Sequence, residues 1–170
     1  MFETHSGRYH VDLPYPPVEA GAKNPVYANA MLSNVGGSNS EMSAVSLYFY
    51  NHLIIEAQYG EFSDAFEQIS IIEMRHLEIF GKLALQLGAD PRLWAKQNNR
   101  RVYWTPAYNR YPREIRALIG NSLEAEKSAI RKYNKQIECV LDANIVENLK
   151  RIILDEQLHV EIFEEMLSLL

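Results

Sequence analysis

The fold of this 170-residue chain is decided by two matching segments, Glu73-Met74-Arg75-His76-Leu77-Glu78-Ile79-Phe80 and Glu156-Gln157-Leu158-His159-Val160-Glu161-Ile162-Phe163. In each segment the first glutamate, the histidine and the phenylalanine follow one another at steps of three and four residues, which places them on one helical face. A shorter echo precedes each segment, and its residues are Glu41 with Tyr48 and Glu126 with Tyr133. Two motifs repeated in the same order at nearly the same offset predict a duplicated helical hairpin with a pseudo-twofold axis.

The pattern predicts an all-α fold with four helices, because no segment alternates convincingly between apolar and polar residues. Asn144 is a candidate N-cap for the last helix, with Glu147 three residues later. Residues 1–38 are expected to form an irregular N-terminal extension, because Pro14, Pro16, Pro17 and Pro25 forbid a continuous helix and Gly36-Gly37 form a turn. The domain of residues 39–170 then contains helices at about Asn39–Tyr59, Ser63–Leu87, Pro112–Leu141 and Ile145–Leu170.

The lengths of the connections predict how these helices are arranged. The first and second helices, and the third and fourth, are joined by only a few residues, so each pair forms an antiparallel hairpin. The connection from Ala89 to Tyr111 is long enough to run along the whole bundle. Two hairpins joined by one long crossover form a ferritin-like four-helix bundle rather than a simple up-and-down bundle.

Each predicted helix carries a glutamate within an otherwise apolar stripe, and these glutamates are Glu41, Glu73, Glu126 and Glu156. Glu124 competes with Glu126, but it falls on a polar face. Four ionised carboxylates facing one another in an apolar interior are costly unless cations neutralise them. With His76 and His159 they form the donor set of dinuclear carboxylate sites in helical bundles, which suits two Fe or two Mn ions better than a structural zinc.

Several other residues carry an ordinary and a functional interpretation. Tyr48 and Tyr133 are either core tyrosines or catalytic residues that hydrogen-bond a ligand or relay a proton. His52 and Cys139 are best interpreted as core residues. Met74 lies beside a predicted ligand, so it is the residue that would hold haem across a dimer axis, but methionine is common in cores and haem is not expected.

The composition excludes several classes of function. The net charge is −5 and the sequence pI is about 5.6, which argues against a nucleic-acid partner, including for the stretch Arg100–Trp104. The apolar run Met42–Ile55 is too short and too interrupted to cross a membrane. A single cysteine and the absence of a signal-peptide pattern in Met1–His5 predict a cytoplasmic location.

The segments around the predicted ligands resemble those of the ferritin-like superfamily over residues 36–170. Glu41-Met42-Ser43-Ala44, Glu73-Met74-Arg75-His76 and Asp155-Glu156-Gln157-Leu158-His159 are similar to the ligand segments of bacterioferritins and rubrerythrins. The N-terminal part, with Leu13-Pro14-Tyr15-Pro16 and Asn24-Pro25, is more similar to manganese catalases and spore-coat CotJC-type proteins.

The resemblance implies a role for each candidate ligand. Glu41 and Glu126 would be terminal ligands, Glu73 and Glu156 bridging ligands, and His76 and His159 terminal nitrogen donors. The chain departs from each branch of the superfamily. It continues for only eleven residues after His159, so the short fifth helix of bacterioferritins is missing, and it lacks the cysteines of a rubredoxin domain. It is also shorter than manganese catalases, whose tails aid hexamer assembly.

Three functions are compatible with this pattern. The leading hypothesis is a non-haem dinuclear redox enzyme that consumes hydrogen peroxide or dioxygen, either as a manganese-catalase type or as a rubrerythrin-type peroxidase with an external electron donor. The alternative is a bacterioferritin-like ferroxidase or iron-binding protein. The third is a metal-free structural bundle. We expect a homodimer or a larger homo-oligomer.

Overall fold

The computed structural model describes residues 9–170, so the segment Met1–His5, interpreted above as lacking a signal peptide, lies outside the described residues. Helices and strands follow one another as α1 (Pro25–Gly36), α2 (Glu41–Ile55), α3 (Gly60–Gln86), β1 (Trp94–Gln97), β2 (Arg100–Tyr103), α4 (Ile115–Cys139) and α5 (Ala143–Ser168). A short 3-10 turn at Pro106–Tyr108 precedes α4.

The predicted ferritin-like bundle is confirmed. Helices α2 and α3 form one hairpin, α4 and α5 form the other, and the segment between α3 and α4 connects them. Two apolar clusters fill the bundle, one around Phe80 and Leu149 and the other around Phe66 and Phe163. The candidate ligands lie between these clusters on α2–α5.

The N-terminal extension is not irregular throughout, because Pro25–Gly36 forms helix α1. The Asn24 side chain accepts hydrogen bonds from the backbone N–H groups of Val26 at 2.9 Å and Tyr27 at 3.1 Å. Pro25 occupies the first position, where its fixed φ suits a helix and its missing N–H costs nothing. The proline interpreted as a helix breaker therefore begins a helix, and α1 packs against α3.

Helices α1 and α2 form one interrupted rod that runs antiparallel to α4. Asn34 of α1 donates to Gln136 at 2.8 Å, and Asn51 of α2 donates to Ser122 at 3.0 Å. The earlier helix α1 thus contacts the later part of α4, and the later helix α2 contacts its earlier part, which is the antiparallel arrangement. The first hairpin thus contains a broken helix where the second contains the continuous helix α4.

The interruption between α1 and α2 is held by two contacts. The Lys132 ammonium donates to the carbonyl oxygens of Ser33 at 2.8 Å and Asn39 at 2.6 Å, which lie on either side of the break. On the other side, a Cβ atom at Gly36 would lie 2.3 Å from the backbone nitrogen of Trp94. Only glycine permits so close an approach between the end of α1 and strand β1.

The crossover contains a β-hairpin, which the sequence analysis did not predict. Strand β1 pairs with β2 in antiparallel register, and the two-residue turn between them has positive φ at Asn98 (48°) and Asn99 (62°). Asparagine tolerates this conformation, which is typical of tight hairpin turns. The Arg101 guanidinium lies 4.4 Å from the Trp94 ring centroid, so this basic stretch packs on its own hairpin.

Two smaller predictions also differ from the structure. Asp142, rather than Asn144, caps α5, because its carboxylate accepts from the N–H groups of Asn144 and Ile145. Cys139, interpreted as a core residue, is exposed. Within residues 9–170, none of the helices combines the length and the apolar character that crossing a membrane requires.

Candidate metal centre

Six side chains from four helices converge between the two apolar clusters, and all are buried. Glu73 and Glu156 belong to both of two groups in which the potential ligand atoms lie within 4.8 Å of one another. The first group adds Glu41 and His76, and the second adds Glu126 and His159. The structure therefore brings together all six side chains proposed as ligands, in two half-sites that share two carboxylates.

The two imidazoles present equivalent atoms to the shared carboxylates. His76 Nδ1 lies 3.2 Å from Glu73 Oε2 and 3.3 Å from Glu156 Oε1. His159 Nδ1 lies 3.0 Å from Glu73 Oε1 and 3.1 Å from Glu156 Oε2. The Nδ1 atoms are thus the ring nitrogens positioned to bind an ion, and the Nε2 atoms point away from the centre.

Without ions, protons must balance the charge of this cluster. Burial raises the pKa of Glu41 and Glu126 well above the usual range, and the charges of Glu73 and Glu156 raise it further. Burial opposes ionisation of Glu73, but its contacts with His159 and His76 hold its pKa below the usual range. Burial would lower the pKa of both histidines, but the surrounding carboxylates raise it. The cluster favours positive charge at its centre.

Two carboxylate oxygens show that the cluster fits metal ions. Glu73 Oε1 and Glu156 Oε1 are buried and accept no hydrogen bond from the described residues, although imidazole nitrogens lie 3.0 and 3.3 Å away. A buried carboxylate oxygen that lacks a donor is costly, and a cation removes that cost. The mixed carboxylate and imidazole set could hold a dinuclear Fe or Mn centre.

The outer nitrogen of His76 is held by a charged network. His76 Nε2 lies 3.1 Å from Asp155 Oδ2. The same carboxylate accepts from the Tyr15 hydroxyl at 2.6 Å and from the backbone N–H of Val11 at 2.7 Å, and it pairs with Arg151 at 2.8 Å. Burial raises the pKa of Asp155, but its contacts with His76, Tyr15 and Arg151 together hold it below the usual range, so the carboxylate stays ionised.

The outer nitrogen of His159 has a different partner. His159 Nε2 lies 2.9 Å from the backbone carbonyl oxygen of Tyr9, which is neutral. The segment from Tyr9 to Tyr15 therefore covers the histidine side of both half-sites but contacts them differently. The sequence pattern does not predict these contacts, and their only local signal is Arg151, four residues before Asp155 in α5.

The two tyrosines of the repeat, Tyr48 and Tyr133, contact carboxylates of the opposite hairpin. The Tyr48 hydroxyl donates to Glu126 Oε1 and the Tyr133 hydroxyl donates to Glu41 Oε1. Both tyrosines are buried, and burial together with the nearby glutamates raises their pKa well above the usual value. The phenols are therefore protonated donors that orient the two carboxylates.

A cleft between α2 and α4 leads from the surface to this centre. Its volume is about 270 Å³. Glu41, Glu126, Tyr48 and Tyr133 form its inner end, and Arg110 contributes to its lining. The cleft gives small molecules access from the side opposite the histidines.

Several other candidate residues lie outside the six-residue cluster. Glu124 is exposed, which agrees with the choice of Glu126, and Glu78 and Glu161 are exposed as well. His52 Nδ1 contacts the Ser63 hydroxyl at 2.9 Å, so it is a satisfied, partly buried histidine. Met74 is 57% exposed on the surface of α3.

Comparison with known proteins supports the fold and identifies the family. KatB, a manganese catalase from Anabaena, superposes with a TM-score of 0.82 at 24% identity, over 94% of this chain and 78% of that chain. BfrA, a bacterioferritin of Mycobacterium tuberculosis, superposes with a TM-score of 0.72 at 21% identity, over 88% of both chains. For the bacterioferritin of Rhodobacter capsulatus the TM-score is 0.68 at 23% identity, over 86% of this chain and 87% of that chain.

At these identities the superpositions show a shared ferritin-like fold and no more. A search of curated protein sequences finds no significant match. The rubrerythrin family model, however, matches residues 37–167, which include all six residues of the cluster. The chain therefore belongs to the rubrerythrin family.

Proposed function

We propose that this protein is an oxidoreductase that consumes hydrogen peroxide at a dinuclear Fe or Mn centre. The observation that carries the proposal is the pair of buried four-residue groups that share Glu73 and Glu156. In this proposal Glu73 and Glu156 would be shared by the two ions, Glu41 and Glu126 would each hold one ion, and the Nδ1 atoms of His76 and His159 would complete the two half-sites. Dioxygen is the other candidate oxidant.

The charge of the cluster supports two divalent ions. Four carboxylates carry four negative charges, and two divalent cations balance them within a water-poor interior. Bound ions would replace the protons that Glu41 and Glu126 otherwise retain because their pKa is raised. A dinuclear centre supplies two adjacent redox-active ions, which suits the two-electron cleavage of an O–O bond.

The residues around the cluster give it access and proton control. The cleft of about 270 Å³ suits a substrate of a few atoms, and its inner end reaches both carboxylates that we assign as terminal ligands. Tyr48 and Tyr133 donate to these carboxylates. We propose that the phenols hold Glu126 and Glu41 in place and pass protons along these hydrogen bonds during turnover.

The surface of the α2–α3 hairpin supports self-association. It exposes large apolar side chains, namely Phe49 at 60%, Leu53 at 51%, Ile71 at 51% and Met74 at 57%. Helix α4 exposes no side chain of this kind among the described residues. Because exposed apolar side chains favour association, we include a homo-oligomer in the proposal, in a cytoplasmic, reducing location compatible with the single cysteine.

The proposal is tested with metal-free protein that is reloaded with Mn(II) or Fe(II) and then given hydrogen peroxide. We expect about two ions per chain and saturable loss of peroxide. Evolution of dioxygen would identify disproportionation, whereas turnover only with an added reductant would identify a peroxidase. A matched control is Glu78→Gln, which removes an exposed carboxylate of α3 and should leave both readings unchanged.

Three outcomes would contradict the proposal. Absence of peroxide turnover with either metal would remove the enzyme assignment. Oxidation of many Fe(II) ions per chain, together with a hollow particle in light scattering, would favour the bacterioferritin-like alternative. Failure to bind metal at all would leave the structural bundle.

A further inference from the structure

A second pocket lies between α1 and α4, outside the candidate metal centre. Its volume is about 430 Å³, within the range of pockets that hold small organic molecules. Arg131, Lys132 and Lys135 of α4 line it, and no carboxylate does. Three cations and no anion around one pocket are unexpected in a chain with a net charge of −5.

Two of these cations form no ion pair with any residue that the structure describes. Arg131 and Lys135 are one helical turn apart, a spacing at which like charges repel. Neither forms an ion pair within residues 9–170, whereas Lys127 of the same helix pairs with Glu164 at 2.8 Å. The pocket therefore concentrates positive charge that an external anion would neutralise.

Lys132 is the third cation; its side chain is partly buried, and burial lowers its pKa. Its two hydrogen bonds go to the carbonyl oxygens of Ser33 and Asn39, which are neutral. An ammonium group has three N–H donors, so one remains for a ligand. The acidic group that acts on Lys132 is Glu41 of the metal-centre cluster, which forms no ion pair with the ammonium among the described residues, so the pocket is where a directly paired anion would enter.

The remaining walls of the pocket are largely apolar. Tyr27 and Val26 of α1 line one side, and Val140 at the end of α4 lines the other. We propose that this pocket binds an organic anion, in which a carboxylate or phosphate contacts Arg131, Lys132 and Lys135 while an apolar or aromatic body packs against Tyr27 and Val140.

The pocket is a neighbour of the metal centre but separate from it. Asn39 and Ser128 line both this pocket and the cleft between α2 and α4. The Asn39 amide donates to the Ser128 hydroxyl at 3.0 Å and forms the partition. Binding of the anion requires no metal, so this proposal and the proposed function can fail independently.

Cys139 provides a reporter, because it is the only cysteine of the chain, it is exposed and it lines the pocket. The full chain is alkylated with neutral iodoacetamide, and the rate is followed by mass spectrometry at increasing concentrations of phenyl phosphate or benzoate. We expect saturable protection of Cys139 with half-protection below about 1 mM. Benzyl alcohol, which has the ring but no charge, should not protect at that concentration.

Charge variants identify the source of the protection. The double substitution Arg131→Gln with Lys135→Gln should weaken protection at least about tenfold, with protection in each variant measured relative to that variant's own alkylation rate without probe. The control Lys96→Gln with Arg113→Gln removes the same charge from exposed positions outside the pocket and should leave protection unchanged.

Each other outcome would overturn the proposal. These outcomes are unsaturable protection, equal protection by benzyl alcohol, or equal weakening in both double variants. The relative strength of phenyl phosphate and benzoate then distinguishes a phosphate ligand from a carboxylate ligand.

Discussion

The two hairpins of the bundle contribute the same types of candidate ligand, but the residues that contact those ligands from outside differ. Each contributes two glutamates and one histidine to the centre, and each presents a histidine Nδ1 atom to Glu73 and Glu156. The outer nitrogen of His76, however, meets the ionised carboxylate of Asp155, whereas that of His159 meets a neutral carbonyl.

The rods that carry Glu41 and Glu126 also differ. Glu41 begins helix α2 directly after an interruption, whereas Glu126 lies within the continuous helix α4. The two hairpins are therefore symmetric only at the six candidate ligands, because the charges of ions and side chains must balance there. The surrounding contacts are free to diverge, and they make the two half-sites chemically unequal.

The largest effect on metal content should come from substitution of the shared carboxylates, Glu73 and Glu156, at which the two half-sites are expected to behave alike. Glu73→Gln and Glu156→Gln each remove a carboxylate that belongs to both half-sites, so under the proposed function the metal content should fall from about two ions per chain to below one. Elemental analysis after dialysis measures this. Retention of both ions in either variant would contradict the assignment of bridging ligands, and Glu161→Gln on α5 is the matched control.

The tyrosines test whether the halves are also alike in catalysis. Tyr48→Phe and Tyr133→Phe remove only the hydroxyl groups that donate to Glu126 and Glu41, so metal content should persist. If the phenols relay protons, peroxide turnover should fall about 10²-fold or more in each variant. Steady-state assays of the metal-loaded variants measure this, and Tyr50→Phe is the control. A merely structural role would leave turnover unchanged.

Asp155 should separate the two half-sites. A carboxylate behind a ligating histidine raises its basicity, and loss of such a partner typically weakens metal binding about 10- to 100-fold. Asp155→Asn should therefore lower the metal affinity of the half-site that contains His76 more than that of the half-site that contains His159. Titration of Mn(II) against a chelator measures both affinities. An equal loss of affinity at both half-sites would show that the different partners of the outer histidine nitrogens do not distinguish the two half-sites.

Substitution of Lys132 should produce the smallest effect, a change in the pH dependence of stability that arises at the interruption between α1 and α2. Burial lowers the pKa of Lys132 from 10.5 to about 8. Between these values the unfolded chain keeps the proton that the folded chain has lost, so the contribution of Lys132 to stability rises with pH. Urea unfolding at about pH 7.5 and about pH 9.5 should show a smaller rise in Lys132→Met than in the wild type.

The control for this measurement is Lys135→Met, which changes an exposed neighbour of the same type. An equal pH dependence in Lys132→Met and the wild type would contradict the argument.

The inward positions could be predicted because a helix repeats its faces regularly. The steps from Glu73 to His76 and from Glu156 to His159 place both pairs on seams, and the polar neighbours of Glu124 exclude it. Burial of charge then favours metal ions without any knowledge of tertiary structure. The fold follows from the same seams and from the length of the crossover.

The missed features depend on local backbone choices or on distant contacts. Pro25 was interpreted as a breaker although Asn24 before it is a good N-cap, and a single proline fits either role until the cap is formed. The hairpin depends on Asn98 and Asn99, whose left-handed conformation is only weakly signalled by residue type. The partner of His159 is a backbone carbonyl, which leaves no side-chain signature at Tyr9.

The docking of Tyr9 and Tyr15 onto α5 also has a consequence for synthesis. Their partners Asp155 and His159 lie about 140 and 150 positions later in the chain. A ribosome makes the early segment first, so that segment cannot reach its place until α5 has been synthesised. Completion of the histidine side therefore follows the synthesis of α5, and a bulky fusion close to Tyr9 would interfere with it more than one attached to an exposed loop.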